Sequence, residues 1–236
     1  MAGCDMYLLW MDVDSKLLKS DVLKRIRMVH GVLGIVDMVS QTVVVQLICR
    51  TEQSFRRSAN LITEISNGKT LLSYKSRFPG SSFRPSPDDW RLIKEVRRRP
   101  TSSYHELGRA VGLSSRSVRM RLEKMISSRV ITIIPRLDIK ALKGGIAVDM
   151  MVTYSSADLK PVLDAKIASR IGPNAIRVGW GDELHGHFTF AATGIAAARD
   201  VSDWVRTLSG ATVMKLDFMA DVVALPEAYE ELIPPE

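Results

Sequence analysis

The chain has 236 residues, of which 46% are hydrophobic and 25% are charged, and its formal net charge at pH 7 is +7. This length permits one large domain or two to three small ones, and no segment approaches the roughly 20 consecutive apolar residues of a membrane-spanning helix, which excludes a membrane protein. The N-terminus carries Asp5 and Asp12 without a basic leader, so we expect a cytoplasmic protein without a signal peptide.

Residues 1–78 show the pattern of a small sheet domain. Apolar runs predict strands, apolar residues at helical spacing predict helices, and Asn67-Gly68 is typical of a turn. The predicted strands are residues 6–13, 31–39, 42–49 and 70–78, and the predicted helices are residues 15–29 and 51–66. This order is that of a ferredoxin-like βαββαβ domain. Cys4 and Cys49 lack a metal-type spacing, so we expect free thiols, with a disulfide staple of this domain as the alternative.

Residues 79–86 are rich in proline, glycine and serine, which predicts a linker. A helix is predicted next, over residues 88–98, and we expect its apolar side to consist of Trp90, Ile93 and Val96. Three arginines close this helix at residues 97–99 and precede a proline. Such a cluster is typical of phosphate contacts or of a solubilising helix end, and the sequence favours neither.

Residues 103–126 have the pattern of two short helices joined by a glycine turn. Ser103 and Glu106 form a capping box, Gly112 provides the turn, and Ser114 is the next N-cap. The residues expected to face the core are Leu107, Ala110, Val111, Leu113, Val118, Leu122 and Met125. A helix pair of this kind places its second helix in the DNA major groove.

The charge distribution supports DNA binding. Residues 87–143 hold 14 Lys/Arg against 6 Asp/Glu, whereas residues 144–236 hold 7 against 13. A basic module attached to a non-basic one is typical of nucleic-acid binders with a separate assembly or sensing part. We expect base or groove contacts from Arg116, Ser117 and Arg119, and backbone contacts from Ser115, Arg121 and Lys124. The further candidates, at the two helix starts, are Ser103, Tyr104, His105 and Ser114.

The C-terminal block repeats the pattern of the first. Residues 130–135 predict a strand that is either a wing or a bridge to the next domain. The elements predicted after it are strands over residues 146–154, 175–179, 184–191 and 212–224 and helices over residues 157–171 and 195–208. The sequence therefore predicts an α+β protein in which two ferredoxin-like βαββαβ domains, residues 1–78 and 136–236, flank a central helix-turn-helix, winged-helix-like domain at residues 87–135.

His185 and His187 alternate on one predicted strand, so both rings should point to the same face of the sheet. Two such ligands suit a metal or a tetrapyrrole but leave the site incomplete, and a sheet-surface pair at an oligomer interface is the simpler interpretation. No catalytic constellation is evident in the sequence. We therefore expect no enzyme activity, no cofactor and no bound metal.

Residues 87 to about 225 resemble the Lrp/AsnC-type (leucine-responsive) transcription regulators of bacteria and archaea. The matching strings are PDDWRLIKEV, SSYHELGRAVGLSSRSVRMRLEKM and RVITIIPRLDIKALKG. The chain departs from the family in having about 86 residues before the helix-turn-helix and in carrying Arg129 where the family has a glycine, so we expect this helix end to close differently. Only Gly181 and Asp182 match the ligand hairpin of the family, because the following residues differ.

The resemblance implies a transcription regulator that binds double-stranded DNA as a homodimer or higher oligomer and that can respond to an amino-acid-like effector. Relatives with this domain pairing include siroheme decarboxylases, in which histidines and arginines hold the tetrapyrrole, so such an enzyme is the alternative. A third interpretation is an interaction module. In that case the open sheet faces, around residues 10–13 and 149–154, would pair to assemble the protein.

Overall fold

The computed structural model describes residues 4–76, 83–131 and 138–225. These residues form two compact units, one made of residues 4–76 together with 138–225 and the other of residues 83–131. No helix within these ranges is long and apolar enough to span a membrane.

The first half of the large unit has the predicted strand and helix order, β1 Asp5–Asp12, α1 Lys19–Ile26, β2 Val32–Met38, β3 Thr42–Cys49, α2 Glu52–Ser66 and β4 Lys69–Ser76. Helix α1 is shorter than the predicted residues 15–29, because the chain turns before Lys19 and again after Ile26. Helix α2 ends at Asn67, whose φ of 43° is left-handed, as the predicted turn requires. Both cysteines are free, and burial raises the pKa of the Cys49 thiol.

The second half repeats this order with β5 Ile146–Tyr154, α6 Lys160–Ile171, β6 Ala175–Trp180, β7 His185–Ala192, α7 Ile195–Arg206 and β8 Ala211–Ala224. The helices numbered between α2 and α6 belong to the small unit. The order of the strands is β4-β1-β3-β2 in the first half and β8-β5-β7-β6 in the second. Each half therefore has the same antiparallel arrangement, in which its fourth strand lies beside its first. Each half also has its own core between sheet and helices.

Strand β8 joins the two halves. Ala211 to Phe218 pair with β5, with a register shift at Met214, and Met219 to Ala224 pair with β2, with a second register shift at Ala220. The result is a continuous eight-stranded order. A long strand that leaves one sheet for the next is a usual way to make the corner between packed sheets.

The inner faces of the two sheets contact each other within the chain. Trp10 on β1 is 2% exposed, and its ring meets the edge of the His187 ring on β7 with centroids 4.9 Å apart. Tyr74 on β4 stacks on His185, with centroids 6.4 Å apart. Four strands lie between β1 and β7 in the sheet order, so the sheet folds back on itself. The open faces expected to drive assembly are thus covered inside one chain.

Polar side chains tie the two halves together at the rim of this interface. The Lys215 ammonium on β8 lies 3.2 Å from the Asp12 carboxylate of β1 and also donates to Thr42, and Ser40 donates to the buried Asp217. Lys19 stabilises the hairpin between β2 and β3. Its ammonium donates to the carbonyls of Met38 and Ser40 at 2.6 Å and of Thr42 at 2.9 Å, and pairs with Asp37 at 2.6 Å.

The burial of Trp10 predicts the effect of its removal. The Trp10→Ala substitution should lower the free energy of unfolding of the large unit by about 3–5 kcal/mol, because it opens a cavity between the two sheets. Urea unfolding followed by far-UV circular dichroism measures this loss. The control is Met28→Ala, since Met28 is 85% exposed and its truncation should change stability by no more than about 0.5 kcal/mol. A loss below about 1 kcal/mol for Trp10→Ala would contradict the packing described here.

Candidate nucleic-acid interface

The small unit consists of three helices, α3 Pro87–Arg98, α4 Tyr104–Val111 and α5 Ser115–Ser127. Its buried core consists of Leu92, Leu107, Val111, Val118 and Met125. Ile93, Val96, Leu113 and Leu122 pack against this core as partly buried residues, as expected. The strand predicted over residues 130–135 lies outside the described residues beyond Ile131.

One residue departs from the predicted core, and one core residue was not predicted. Ala110 is exposed, because α4 turns Leu107, Gly108 and Val111 inward and Ala110 lies about 110° away from the middle of that face. Trp90 is half-buried and is not part of the core, and Leu92 takes the central position of α3 instead. The prediction for Ala110 was therefore wrong, and the central position of Leu92 was not predicted.

The capping box at the start of α4 is confirmed. The Ser103 hydroxyl accepts the backbone N–H of Glu106 at 3.3 Å, and the Glu106 carboxylate accepts the backbone N–H of Ser103 at 2.7 Å. The hydrogen bond from the Ser103 N–H, followed by that from its hydroxyl, holds the pKa of Glu106 below its usual value. Tyr104 and His105 are exposed in the first turn of α4, where they were expected.

The turn between α4 and α5 is also confirmed. Gly112 has a φ of 73°, and Ser114 caps α5 by accepting the Ser117 N–H at 3.2 Å. A second glycine, Gly108, also matters for the geometry of this turn, and sequence reasoning missed it. Gly108 lies so close to the Leu113 carbonyl that a Cβ atom would collide with it. A side chain at position 108 would therefore force the turn between α4 and α5 away from α4.

Helix α5 ends in the way a glycine would end it, so the expectation for Arg129 was wrong. Arg129 adopts a left-handed φ of 59°, and the Val130 N–H reaches the Met125 carbonyl at 2.8 Å. This is the Schellman pattern that glycine usually completes. A non-glycine residue in this conformation costs about 1–2 kcal/mol, which the packing of Val130 and Ile131 on the core offsets.

Arg121 lies on the side of α5 that faces α3, and its side chain binds the N-terminal end of α3. Its guanidinium donates to Asp89 at 2.7 Å, to Ser86 at 3.1 Å and to Asp88 at 3.2 Å. Ser86 and Asp89 form a capping box of their own, which sequence reasoning also missed. Burial raises the pKa of Asp89, but hydrogen bonds from the Ser86 N–H, Arg121 and the Ser86 hydroxyl outweigh it, and the net pKa lies below its usual value.

The opposite side of α5 is exposed and cationic. Arg116 is exposed and forms no ion pair with another residue of the described ranges. Arg119 is 58% exposed and lies 3.6 Å from Glu123, and the Lys124 ammonium lies 5.1 Å above the ring of Phe83. An open cavity of about 490 Å³ beside this helix is lined by Phe83, Asp89, Ser114, Arg116, Ser117, Met120, Arg121 and Lys124. Arg121 is paired with Asp89, so Arg116 and Lys124 leave this lining with an excess of positive charge, which attracts anions.

The arginine cluster at the C-terminal end of α3 is partly neutralised. Glu95 accepts Arg98 at 3.0 Å and lies 3.5 Å from Arg99, and both arginines are more than half exposed. Exposed pairs of this kind contribute little and can reopen when a phosphate approaches. The structure is thus compatible with either interpretation of the cluster.

The residues that the sequence proposed for a ligand lie in the large unit and serve its own fold. Asp182 accepts the backbone N–H groups of Leu184 and His185 at 2.8 and 2.9 Å and contacts Nδ1 of His185 at 2.8 Å, which closes the turn that begins at Gly181. The two histidines share the inner face, as predicted. His187 is 4% exposed, and its Nε2 contacts Asp149. In the described ranges no group of three His, Cys, Asp or Glu side chains is placed to hold a metal.

Comparison with known proteins supports the assignment of a helix-turn-helix in the small unit. Residues 88–126 match the family model of the AsnC-type helix-turn-helix domain, which confirms the resemblance over this part of the chain. No curated protein matches the chain.

The solved structures that resemble this chain include B. subtilis LrpC, E. coli AsnC and a siroheme decarboxylase. B. subtilis LrpC is 19% identical over 59% of this chain and 96% of its own, with a TM-score of 0.43. E. coli AsnC is 18% identical over 61% of this chain and 93% of its own, with a TM-score of 0.40. The siroheme decarboxylase NirDL is 15% identical over 98% of this chain and 78% of its own, with a TM-score of 0.57. At this identity, the last similarity establishes a shared fold.

The contacts of Arg121 with α3 predict that the Arg121→Met substitution destabilises α5 locally. The substitution leaves Asp89 buried without its cation, so α5 should lose about 2 kcal/mol of protection, or roughly 30-fold in amide exchange rate. Hydrogen exchange with mass spectrometry of peptides from residues 103–127 measures this change. Arg119→Met is the control, and its effect should stay below about 0.5 kcal/mol because the Arg119 pair with Glu123 is exposed.

The pH dependence of this loss follows from the lowered pKa of Asp89. A carboxyl with a depressed folded-state pKa contributes stability that is present above its unfolded pKa of about 4 and is lost as the pH falls through the folded-state value. The difference between the wild type and Arg121→Met should therefore be constant from pH 7 to about pH 5 and shrink below about pH 4. A difference that does not change with pH would contradict the ion pair.

Proposed function

We propose that this chain, whose helix-turn-helix is of the AsnC type, is a sequence-specific transcription regulator that binds double-stranded DNA with α5 in the major groove. The observation that carries the proposal is the exposed Arg116, which has no ion pair among the described residues and stands at the N-terminal end of a helix whose other side is buried. A guanidinium in this position can donate two hydrogen bonds to a guanine edge.

The positions of the side chains on α5 suggest separate roles. Arg116, Ser117 and Arg119 are the proposed base or groove contacts, and Ser115 and Lys124, with Tyr104 and His105 from α4, are the proposed phosphate contacts. Ser103 and Ser114 use their hydroxyls as helix caps, so we assign them contacts through neighbouring backbone N–H groups. Arg121 positions the helix because its donors are already engaged with α3.

The number of helix-turn-helix units supports a homo-oligomer. The described residues of one chain contain one such unit, and two units related by a dyad can read half-sites about 34 Å apart. We propose ferredoxin-like domains at residues 1–78 and 136–236 on either side of a DNA-binding domain at residues 87–135. Because the inner sheet faces contact each other within the chain, the dimer is proposed to form through other surfaces.

An amino-acid-like effector at the Gly181–Asp182 turn is not favoured. The Asp182 carboxylate already accepts hydrogen bonds from its own turn and contacts the His185 ring. It therefore offers no free carboxylate to the ammonium group of such an effector.

Charge reversal on α5 tests the proposed function. Arg116→Glu and Arg119→Glu should each abolish specific binding, a loss of roughly 100-fold or more, because each puts a carboxylate against bases and phosphates. Electrophoretic mobility shift with DNA selected from a random pool measures this loss, and circular dichroism confirms folding. The control is Arg57→Glu, since Arg57 is exposed on α2 of the other unit. Unchanged binding of both α5 variants would contradict the proposal.

The second candidate is a siroheme decarboxylase, favoured by the fold shared with NirDL over nearly the whole chain and by the two histidines on one face. The residues present do not fit a tetrapyrrole on that face. The His187 ring is buried against Trp10 and Asp149, and the His185 ring lies between Asp182 and Tyr74. A tetrapyrrole would have to displace both aromatic rings.

Absorbance spectroscopy separates the two candidates. Iron-uroporphyrin III added to the purified chain should give no Soret shift that depends on His185 or His187, and the selected DNA should bind with the porphyrin absent. A saturating shift that His187→Ala removes, together with no DNA selected at all, would favour the enzyme.

A further inference from the structure

An exposed apolar side chain, Met120, lies beside the cationic residues of α5. Met120 is 56% exposed, whereas its neighbours one helical turn away are the polar residues Arg116, Ser117, Glu123 and Lys124. We propose that Met120 reads the C5 methyl group of a pyrimidine in the major groove, thymine above all. This inference rests on the proposed function, since it requires α5 to lie in that groove.

The geometry places Met120 beside the proposed guanine-reading residue. Arg116 and Met120 are four residues apart, so they are neighbours on the same helix face, and both line the cavity beside α5. Their separation along the helix axis is about 6 Å. Base pairs follow each other at 3.4 Å along the strand, so the two side chains meet bases about two steps apart. The half-site should thus combine a guanine with a methylated pyrimidine at this spacing.

The chemistry of the groove limits what an apolar side chain can read. Among the base edges of the major groove, the C5 methyl of thymine is the one apolar group, and the other groups are hydrogen-bond donors and acceptors. A 5-methylcytosine presents the same methyl group at the same position of the ring. The unbranched thioether of Met120 can adapt its shape to such a group and loses exposed apolar surface when it does so.

The same helix contains a matched control. Ile126 is 43% exposed, and it lies at the C-terminal end of α5 and does not line the cavity. Parallel substitution of Met120 and Ile126 therefore compares an exposed apolar residue at the proposed base contact with one away from it. Alanine is tolerated at both positions because it is the best helix former.

The experiment combines base analogues with protein variants. DNA is first selected from a random pool with the full chain, and each thymine of the half-site is then replaced singly by deoxyuridine, which lacks the methyl group. At one position the wild type and Ile126→Ala should each bind roughly fourfold more weakly, the effect of losing one buried methyl contact. Met120→Ala should bind the thymine and deoxyuridine forms equally. Where the half-site carries cytosine at that position, its C5 methylation should strengthen binding by the wild type but not by Met120→Ala.

The outcomes separate this inference from the proposed function. Equal deoxyuridine ratios for the wild type and Met120→Ala at every position, with no response to cytosine methylation, would overturn methyl reading while specific binding stands. Failure to select any sequence would overturn the proposed function itself. A methyl response that Ile126→Ala also removes would show a general effect of exposed apolar residues and would equally overturn the role of Met120.

Discussion

The contacts of the Arg121 guanidinium, together with the burial of Val118 and Met125, fix which side of α5 faces outward. Arg121 joins the middle of α5 to the start of α3 through Asp89, which is 4% exposed, and through Asp88 and Ser86. Burying a carboxylate is unfavourable unless a cation and hydrogen bonds compensate for the lost water, and here they do. Rotation of α5 about its own axis would break this arrangement and would also withdraw Val118 and Met125 from the core. The exposed face with Arg116, Arg119 and Met120 is fixed as a consequence.

The large unit is built from two halves with the same strand order but different inner faces. In the first half this face is apolar, with Leu8, Trp10 and Val44 buried, whereas the second half presents the buried Asp149, His187 and Asp217. Asp149 and Asp217 are directly opposite on β5 and β8. Two copies of the second half facing each other would bring four carboxylates together in a dry interface, which is unfavourable. The apolar first half avoids this repulsion, so pairing of the two different halves is more favourable than pairing of two copies of the second half.

Local signals explain why much of the fold could be predicted. Alternation and helical spacing predicted both βαββαβ orders, and Ser103, Ser114 and Gly112 predicted the boundaries of α4 and α5, because caps and turns depend on a few neighbouring residues. Features that depend on distant partners were missed. The contact of Trp10 with His187 joins residues 177 positions apart, and no local pattern indicates which two faces of a sheet will meet. Ala110 was misassigned because an eight-residue helix buries a narrow stripe.

The candidate site illustrates the same limit within one helix. Arg116, Arg119 and Arg121 contribute equally to the charge count, so composition and spacing alone assign all three to DNA. Their surroundings differ. Arg121 is occupied by α3, Arg119 shares an exposed pair with Glu123, and Arg116 has no ion pair among the described residues. A guanidinium that is already satisfied would lose its bonds in order to make new ones, whereas an unpaired one gives up only water. The proposed recognition of DNA by α5 therefore depends less on how many arginines the helix carries than on which of them the fold has left available.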